Sequence, residues 1–176
     1  MDQEFNKLLF TRHSIRKYKP ESVDAEIVKH ILEAGLLAPS SKSARPWQFV
    51  VVEDRTMLEN LSQCKLAGAR PLSGAAFAIV ICADPKKSDV YIEDTSVAAS
   101  YMQLQAAALG VGSCWIQIRG RVSADGMPAQ NLIKNELGIP EDLEVVQVVT
   151  FGIPDEDRKP VDPEKLLWEK VHIGQW

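Results

Sequence analysis

The sequence predicts one domain in which helices and strands are mixed along the chain. Its 176 residues are enough for a single domain with a hydrophobic core, and 45% of them are hydrophobic. Apolar residues recur at helical spacing in some segments and form short continuous runs in others, which indicates both element types. No apolar run approaches the roughly 20 residues of a membrane-spanning helix, so no membrane association is expected.

Two helices are predicted before the first strand. Phe5, Leu8 and Leu9 form a short apolar stripe with helical spacing. Asp24 is a good N-cap, and the apolar residues that follow it again recur at helical spacing. Pro39 disfavours continuation of this second helix, because the residue before a proline avoids the helical conformation.

Buried strands and a long helix are predicted in the middle of the chain. Residues 47–52 and 77–82 are continuous apolar runs of strand length, and Asp54 is placed to cap a short helix between them. The Ala-rich stretch from about residue 92 to 109 has little polar face. Such a helix is expected to be buried nearly all round, in the core or at a subunit interface.

The last predicted elements are two strands around a helix. Cys114–Ile116 with its flanks is predicted to be a strand, and residues 145–149 another. The helix between them contains Leu132 and Leu137 and is ended by Gly138.

The tail beyond Gly152 is polar and predicted to be extended. It nevertheless contains Trp168, Val171, Ile173 and Trp176, which need an apolar surface to pack on. A partner subunit is one place where such side chains could be covered.

The charge pattern argues against general nucleic-acid binding, because the net charge is −4. One segment departs from this balance: Arg12, Arg16, Lys17 and Lys19 place four positive charges within eight residues. A basic segment on an acidic chain indicates either a site for one specific anion or a solvated surface arm.

The cysteines predict a reducing environment. Cys64, Cys82 and Cys114 are odd in number and widely spaced, which is not the pattern of a disulfide framework. The acidic N-terminal residues lack the order of a secretion signal. A cytoplasmic location is therefore expected.

Several common chemistries lack their motifs. No G-x-G-x-x-G follows a strand, and neither a P-loop nor a G-x-S-x-G sequence is present. His13, His30 and His172 are far apart and have no metal-ligand spacing with cysteine, so no metal is predicted. A Cys/His hydrolase would need Cys114 and a histidine to meet in space, and nothing in the sequence favours it.

The segment Arg12-His13-Ser14-Ile15-Arg16 has the groups that a phosphate requires. If it is extended, residues 12, 14 and 16 point to one side and present two guanidinium groups and a hydroxyl. Guanidinium forks and small hydroxyl donors are well suited to phosphate oxygens. Taken alone, this short pattern also occurs by chance.

The Arg12–Arg16 segment is the first of five segments that, taken in chain order, resemble one protein family. They are residues 12–18, residues 38–49, the Ala-rich helix leading into residues 108–116, residues 137–140 with the strand at 145–152, and the tail at 158–160 and 169–172. The first contains R-x-S-x-R and the second is similar to A-P-S-x-x-N-x-Q-P-W. In this order they resemble the nitroreductase family over nearly the whole chain.

The resemblance implies a fold and an assembly. The expected class is α+β, a three-layer α/β/α sandwich with a mixed central sheet flanked by helices. Residues 1–176 are expected to form one FMN-binding domain in an interlocked homodimer. The tail from about residue 153 to 176 is expected to pack on the partner subunit, and each FMN is expected at the dimer interface.

The resemblance also assigns flavin contacts. Arg12 and Ser14 are expected to bind the FMN phosphate, with Arg158 or Lys159 adding a second cation. Arg16 is expected to approach the ribityl chain or the N1/O2 edge of the flavin. The Pro39–Arg45 loop and the Gly112–Trp115 segment are expected beside the ring. The full set of candidate cofactor-binding residues is Arg12, His13, Ser14, Arg16, Pro39, Ser40, Ser43, Arg45, Gly112, Ser113, Cys114, Trp115, Arg158 and Lys159.

Two positions depart from the family pattern, and some candidates have a simpler explanation. Ser43 stands where the family has Asn, and Arg45 where it has Gln, which puts a nitroaromatic preference in doubt. Trp115 is better explained by core packing than by a flavin contact. Cys114 is better explained by packing than by redox chemistry, and Ser40 could merely support a turn.

The function implied by the resemblance is that of a flavoenzyme. NADH or NADPH would give hydride to flavin N5, and a nitroaromatic, quinone or similar conjugated acceptor would then be reduced in a ping-pong cycle. The flavin carries the chemistry, so no catalytic side chain is assigned. The alternatives are an FMN-binding redox sensor or flavin store, a specialised relative such as a reductive dehalogenase-like enzyme, and a phosphate-binding regulatory domain without flavin.

Overall fold

The computed structural model describes residues 3–176, in which six α-helices and four strands are present. Their bounds are α1 Gln3–Thr11, α2 Ala25–Leu36, β1 Trp47–Val52, α3 Arg55–Ser62, α4 Pro71–Gly74, β2 Phe77–Ala83, α5 Tyr91–Ala108, β3 Gly112–Gln117, α6 Ala129–Leu137 and β4 Glu144–Gly152. Every predicted helix and strand is present, whereas α4 was not predicted. None of the helices in the described part of the chain is long and apolar enough to cross a membrane.

The four strands form one sheet with the order β1-β2-β4-β3. Each neighbouring pair of these strands is antiparallel. A mixed sheet was expected, but no two of the four strands are parallel. Among the described residues, the parallel pairing is a single bridge between Ser14 and Ser113 at the outer edge of β3. β2 is buried along its whole length because it lies inside the sheet and is covered on both faces.

Helices cover both faces of the sheet, so the predicted α+β three-layer sandwich is confirmed. Ile79 and Ile81 of β2 pack with α2 and α5, which contribute Ile31 and Met102 to that cluster. The alternate residues of β2 pack on the opposite face with α3 and α6. This alternation follows from the two-residue period of a strand.

Two predicted helix starts are confirmed by hydrogen bonds. The Asp24 side chain accepts a hydrogen bond from the N–H of Glu26, and the Asp54 side chain accepts one from the N–H of Met57. These side chains satisfy backbone donors that the first helical turn leaves without partners. At the other end of a helix, Gly138 caps α6 in the left-handed conformation with φ of 64°.

The long helix α5 is buried on one face and exposed on the other. Ala98, Ala99, Met102 and Ala106 are completely buried, while Tyr101 is exposed in the single chain. The prediction that this helix is covered nearly all round therefore depends on a partner subunit and stays a prediction.

The basic segment near the N-terminus is attached to the sheet by its backbone. The N–H of Ile15 donates to the carbonyl of Ser113, and the N–H of Lys19 donates to the carbonyl of Ile153. A side chain at Gly152 would collide with the buried ring of Tyr18, since an added Cβ would lie 2.9 Å from its nearest ring atoms. The segment therefore lies across the start of β3 and the end of β4.

Candidate functional site

The first part of the site is a cavity of about 200 Å³ at the end of α1. Arg12 and His13 line it from the basic segment, Gly112 and Ser113 from the start of β3, and Arg158 from the tail. Five predicted cofactor-binding residues are thus brought together from three distant parts of the chain. Neither Ser14 nor Lys159 lines this cavity.

His13 contributes a buried atom that lacks a partner. Its Nε2 is inaccessible to solvent and makes no hydrogen bond with any described residue. A buried polar atom left in this state costs about 1–3 kcal/mol. The cavity is therefore lined by two arginines and by a histidine whose Nε2 has no partner, side chains that are suited to an oxyanion.

The expectation that Arg12, Ser14 and Arg16 point to one side is wrong. The N–H of Arg12 still donates to the carbonyl of Leu8, 2.9 Å away, so residue 12 continues the helical turn of α1. The extended alternation begins only after it. Arg12 and Arg16 consequently line two different cavities.

The second part of the site is a wider cleft of about 690 Å³. It is lined by residues 16–18, by residues of the segment from Gly68 to Gly74, and by Asp155. Arg16, Lys17 and Arg70 are cations of this cleft, and Arg70 was missed in the sequence. It precedes the short helix α4 and belongs to no repeating or spaced pattern that could have indicated a site.

Glu156 joins the two cavities and was also missed. Its Oε1 accepts hydrogen bonds from the backbone N–H groups of Arg16 and Lys17, and its Oε2 lies 2.7 Å from Nη2 of Arg158. These backbone hydrogen bonds, with the nearby Arg158 charge, hold the pKa of Glu156 below its usual range. The carboxylate thereby fixes the basic segment against the tail.

Cys114 and Trp115 lie on opposite faces of β3. Cys114 belongs to the cluster beneath α3 and α6, whereas Trp115 packs against the cluster beneath α2 and α5 and donates from Nε1 to Gln117. Because successive side chains of a strand alternate, both cannot face one flavin ring. Burial raises the pKa of the Cys114 thiol, which suits packing better than redox chemistry.

Gly112 lies in close contact with the basic segment. A Cβ at this position would lie 2.9 Å from Cβ and Cγ2 of Ile15. The close approach of the basic segment therefore favours glycine at this position.

The loop from Pro39 to Arg45 has an unusual backbone. Lys42, Ser43 and Arg45 have φ of 51°, 55° and 46°, in the left-handed region that favours glycine. Such residues cost of order 1–3 kcal/mol each and cluster at functional sites. The Ser40 hydroxyl accepts a hydrogen bond from the Arg45 N–H, so its predicted role in supporting a turn is confirmed.

This loop lies at the opposite corner of the sheet from the basic segment. It leads into Trp47, which pairs with Ala83 at the end of β2, whereas Gly112 pairs with Gly152 beside the start of β2. Three strand spacings and six residues separate these corners, roughly 25 Å along the diagonal. Within one chain, the loop and the basic segment cannot line the same ring.

The amino-acid sequence matches a known protein family over most of its length. The sequence model of the nitroreductase family matches residues 9–73 and 57–153. The chain belongs to the nitroreductase family. A curated relative of this nitroreductase-family chain comes from Archaeoglobus fulgidus and is 36% identical over 179 residues, which is 99% of each chain. It is named provisionally as an NADH dehydrogenase/NAD(P)H nitroreductase.

Solved structures of other family members have the same fold. An FMN-dependent nitroreductase from Clostridium difficile R20291 is 47% identical, with a TM-score of 0.95 over 97% of this chain and 99% of that one. A structure from Bacteroides thetaiotaomicron, named provisionally as an NADH dehydrogenase/NAD(P)H nitroreductase, is 30% identical with a TM-score of 0.90 over the whole of both chains.

The geometry of this nitroreductase-family chain fits FMN. The cavity with the partnerless Nε2 of His13 contains donors for a phosphate, and the adjacent cleft is large enough for a ring system and contains cations for its anionic edge. Ile15 and Glu156 line the smaller cavity, and the Glu156 carboxylate accepts a hydrogen bond from the backbone N–H of Arg16, which lines the larger cleft.

Proposed function

We propose that this chain is an FMN-dependent oxidoreductase that takes electrons from NADH or NADPH and passes them to a small conjugated acceptor. The observation that carries the proposal is the cavity lined by Arg12, His13 and Arg158, together with a second cleft lined by cations. Nε2 of His13 is buried and has no hydrogen-bond partner among the described residues. The names of its relatives from Archaeoglobus fulgidus and Clostridium difficile support the same chemistry.

The phosphate would be held in the smaller cavity. Arg12 and Arg158 supply guanidinium groups, and His13 supplies a ring nitrogen that a phosphate oxygen would satisfy. Ser14 and Lys159 do not line this cavity in the structure, yet each adjoins a lining residue in the chain. We keep them as proposed contacts that a side-chain rearrangement on binding would bring in.

The larger cleft would hold the ring. Bound FMN supplies the acceptance and donation of hydride at N5. The chain's part is to orient the ring, and Arg16 is the cation we assign to the N1/O2 edge, where reduced flavin carries negative charge. Acceptors of the proposed class are nitroaromatics, quinones and similar conjugated electrophiles.

A second subunit would complete the site. The Pro39–Arg45 loop lies too far from Arg16 to act within one chain, so we assign it to the flavin of the partner subunit. Exposed apolar residues are available for such an assembly: Leu37 is 78% exposed, Ile173 95% and Trp176 101%. An apolar groove between α1 and α5, lined by Phe5 and Tyr101 among others, is a further surface for such an assembly.

An absorbance experiment tests the proposal. Protein purified with excess FMN is expected to be yellow and to bleach when NADH or NADPH is added without oxygen. A yellow protein that neither donor bleaches would indicate a flavin store or redox sensor instead. A protein that remains colourless after incubation with FMN would contradict the assignment and favour a phosphate-binding domain.

A further inference from the structure

Asp94 is a buried acid without a cation beside it. It lies in the first turn of α5 and is only 5% exposed. None of the ion pairs in the described part of the chain includes it. Removing a carboxylate from water is costly unless hydrogen bonds replace the lost hydration. The hydrogen bonds of Asp94 therefore indicate what this buried side chain serves.

The two carboxylate oxygens of Asp94 have different partners. Oδ2 accepts a hydrogen bond from the Ser88 hydroxyl, 2.7 Å away, and that hydroxyl in turn accepts one from the N–H of Val90. Oδ1 accepts a hydrogen bond from the backbone N–H of Ser41, 2.8 Å away and 53 residues earlier in the chain. The first contact supports the start of α5, where acidic groups are favoured, whereas the second reaches into the Pro39–Arg45 loop.

The segments that flank this loop pack on the same helix. Ala38 and Trp47 form a small buried cluster with Ala98 of α5. Ala98 follows Asp94 by four residues, so both lie on one face of the helix. This face therefore holds the flanks of the loop by apolar contacts and the segment between them by the Asp94 carboxylate.

The backbone of the loop makes this attachment important. Lys42, Ser43 and Arg45 have positive φ, and they follow directly after the residue whose N–H Asp94 binds. Backbone conformations of this kind persist only where the surrounding structure determines them. The Asp94 carboxylate is a contact from the body of the domain that does so.

We propose that Asp94 is a positioning residue for flavin binding, which fixes the Pro39–Arg45 loop of one subunit in the conformation that contacts the flavin of the partner subunit. The inference rests on the proposed function, in which this loop is assigned to that flavin. Asp94 itself touches neither flavin nor reactant and acts through the Ser41 N–H. A loop already held in its bound conformation loses less entropy on binding, so the flavin is bound more tightly.

Two pairs of variants remove the hydrogen bond from its two sides. Asp94→Ala removes the acceptor, and Asp94→Asn is the conservative variant whose amide oxygen can still accept from Ser41. Ser41→Pro removes the donor and keeps Asp94, and Ser41→Ala, which keeps the N–H, is its reference. Proline is compatible with this position because Ser41 begins a 3₁₀ turn and Ser40 before it is extended, with φ of −141° and ψ of 157°.

Asp24→Ala is the control for a general loss of stability. The Asp24 carboxylate also accepts a hydrogen bond from a backbone N–H at 2.8 Å, but at the end of α2 that is far from the loop. FMN affinity is measured by fluorescence quenching. The visible absorbance and circular dichroism of the bound flavin report the surroundings of the ring, and thermal melts report stability.

Asp94→Ala and Ser41→Pro are expected to weaken FMN binding by roughly three- to tenfold, the range of one hydrogen bond, and to change the spectrum of the bound flavin. Asp94→Asn should regain most of the affinity. Asp24→Ala should lower Tm but bind FMN like wild type, because a lost N-cap destabilises the helix without moving the loop.

Limited trypsin digestion reports on the loop itself, because Lys42 is exposed and lies within it. Cleavage after Lys42 should be faster in Asp94→Ala than in wild type. Bound FMN should slow this cleavage in wild type, since the loop would then be held against the ring.

The remaining outcomes contradict the inference or the function on which it rests. Wild-type affinity and flavin spectrum in Asp94→Ala overturn the inference whatever the Tm, since Asp94 would then support the fold alone. It is also overturned by equal FMN losses in Asp94→Ala and Asp24→Ala, by an Asp94→Asn variant that binds no better than Asp94→Ala, and by wild-type cleavage that FMN does not slow. Should Asp94→Ala fail to fold, equal affinities of Ser41→Pro and Ser41→Ala still overturn it. Failure of the wild type to take up FMN overturns the proposed function itself, and the inference with it.

Discussion

The Glu156 carboxylate accepts a hydrogen bond from the backbone N–H of Arg16, although 140 residues separate the two in the sequence. The same carboxylate also binds the N–H of Lys17 and the guanidinium of Arg158. One acidic side chain thus connects the basic segment, the tail and both cavities. Its loss should affect stability and the site together.

Replacing Glu156 by Gln should remove a pH-dependent part of the stability. The pKa of Glu156 is lowered in the folded chain, so its contribution is present above the unfolded value of about 4.3 and is lost as the pH falls through the folded value. At pH 7 we expect Glu156→Gln to lower Tm by roughly 2–4 °C. Below the folded pKa the difference from wild type should disappear.

The matched control is Asp157→Asn, because Asp157 is the exposed neighbouring acid and is engaged in none of the hydrogen bonds of Glu156. Thermal melts of wild type and both variants between pH 3 and pH 7 provide the measurement. A Tm deficit of Glu156→Gln that is constant across this range would refute the electrostatic explanation.

Replacing Arg12 by Ala should weaken FMN binding. The phosphate would lose a charge-assisted hydrogen bond worth about 1.5–3 kcal/mol, or roughly 10- to 150-fold in Kd. Quenching of FMN fluorescence by the apoprotein measures the change. Lys87→Ala has the same loss of charge outside the site and should bind FMN like wild type; equal affinities of all three proteins would remove Arg12 from the phosphate site.

Replacing Gly112 by Ala should destabilise the fold, because the new methyl group would press against the branched Cβ of Ile15. Overpacking of this kind costs typically 1–3 kcal/mol. Gly74→Ala is the control, since a Cβ there meets nothing within 4 Å. Urea unfolding of wild type and the two variants measures the change in stability. An unchanged urea midpoint for Gly112→Ala would contradict the prediction, because the basic segment could then shift away from the methyl group at little cost.

Replacing Tyr18 by Phe should cost about 1 kcal/mol at pH 7 and reduce the alkaline sensitivity of the fold. The Tyr18 hydroxyl lies 2.8 Å from Oγ1 of Thr150 and donates to the carbonyl of Ile15. Burial raises the pKa of this hydroxyl well above its usual value. A group with a raised folded pKa stabilises fully below its unfolded value, about 10, and this stabilisation is lost as the pH rises further.

The measurement is urea unfolding at pH 7 and at steps above pH 10. Wild type should lose stability over the alkaline steps, and Tyr18→Phe should lose less. Tyr101→Phe, at a tyrosine exposed in the single chain, should follow wild type. Parallel alkaline losses in wild type and Tyr18→Phe would contradict the prediction.

Most of the elements could be predicted because their signals are local. The caps at Asp24 and Asp54 act within three residues of themselves, and the apolar runs of β1 and β2 are read from neighbouring positions. Arg12 and His13, which we propose as phosphate contacts, were also identifiable as lining residues of the smaller cavity, because they are adjacent and have the right chemistry. The end of helix α1 was harder to predict. Because residue 12 was treated as part of an extended segment, its side chain was expected on the same side of that segment as Ser14 and Arg16.

The amino-acid sequence alone therefore determined most of the segments that become helices and strands, with α4 as the exception, and the family to which the pattern is similar. Tertiary structure alone decided that Glu156 holds Arg16, that Arg70 faces the same cleft, and that the Pro39–Arg45 loop stands at the far corner of the sheet. The physical reason is the distance in sequence over which each kind of interaction acts. Periodicity and capping depend on residues a few positions apart, whereas the strand order β1-β2-β4-β3 brings together or separates residues that no local pattern connects.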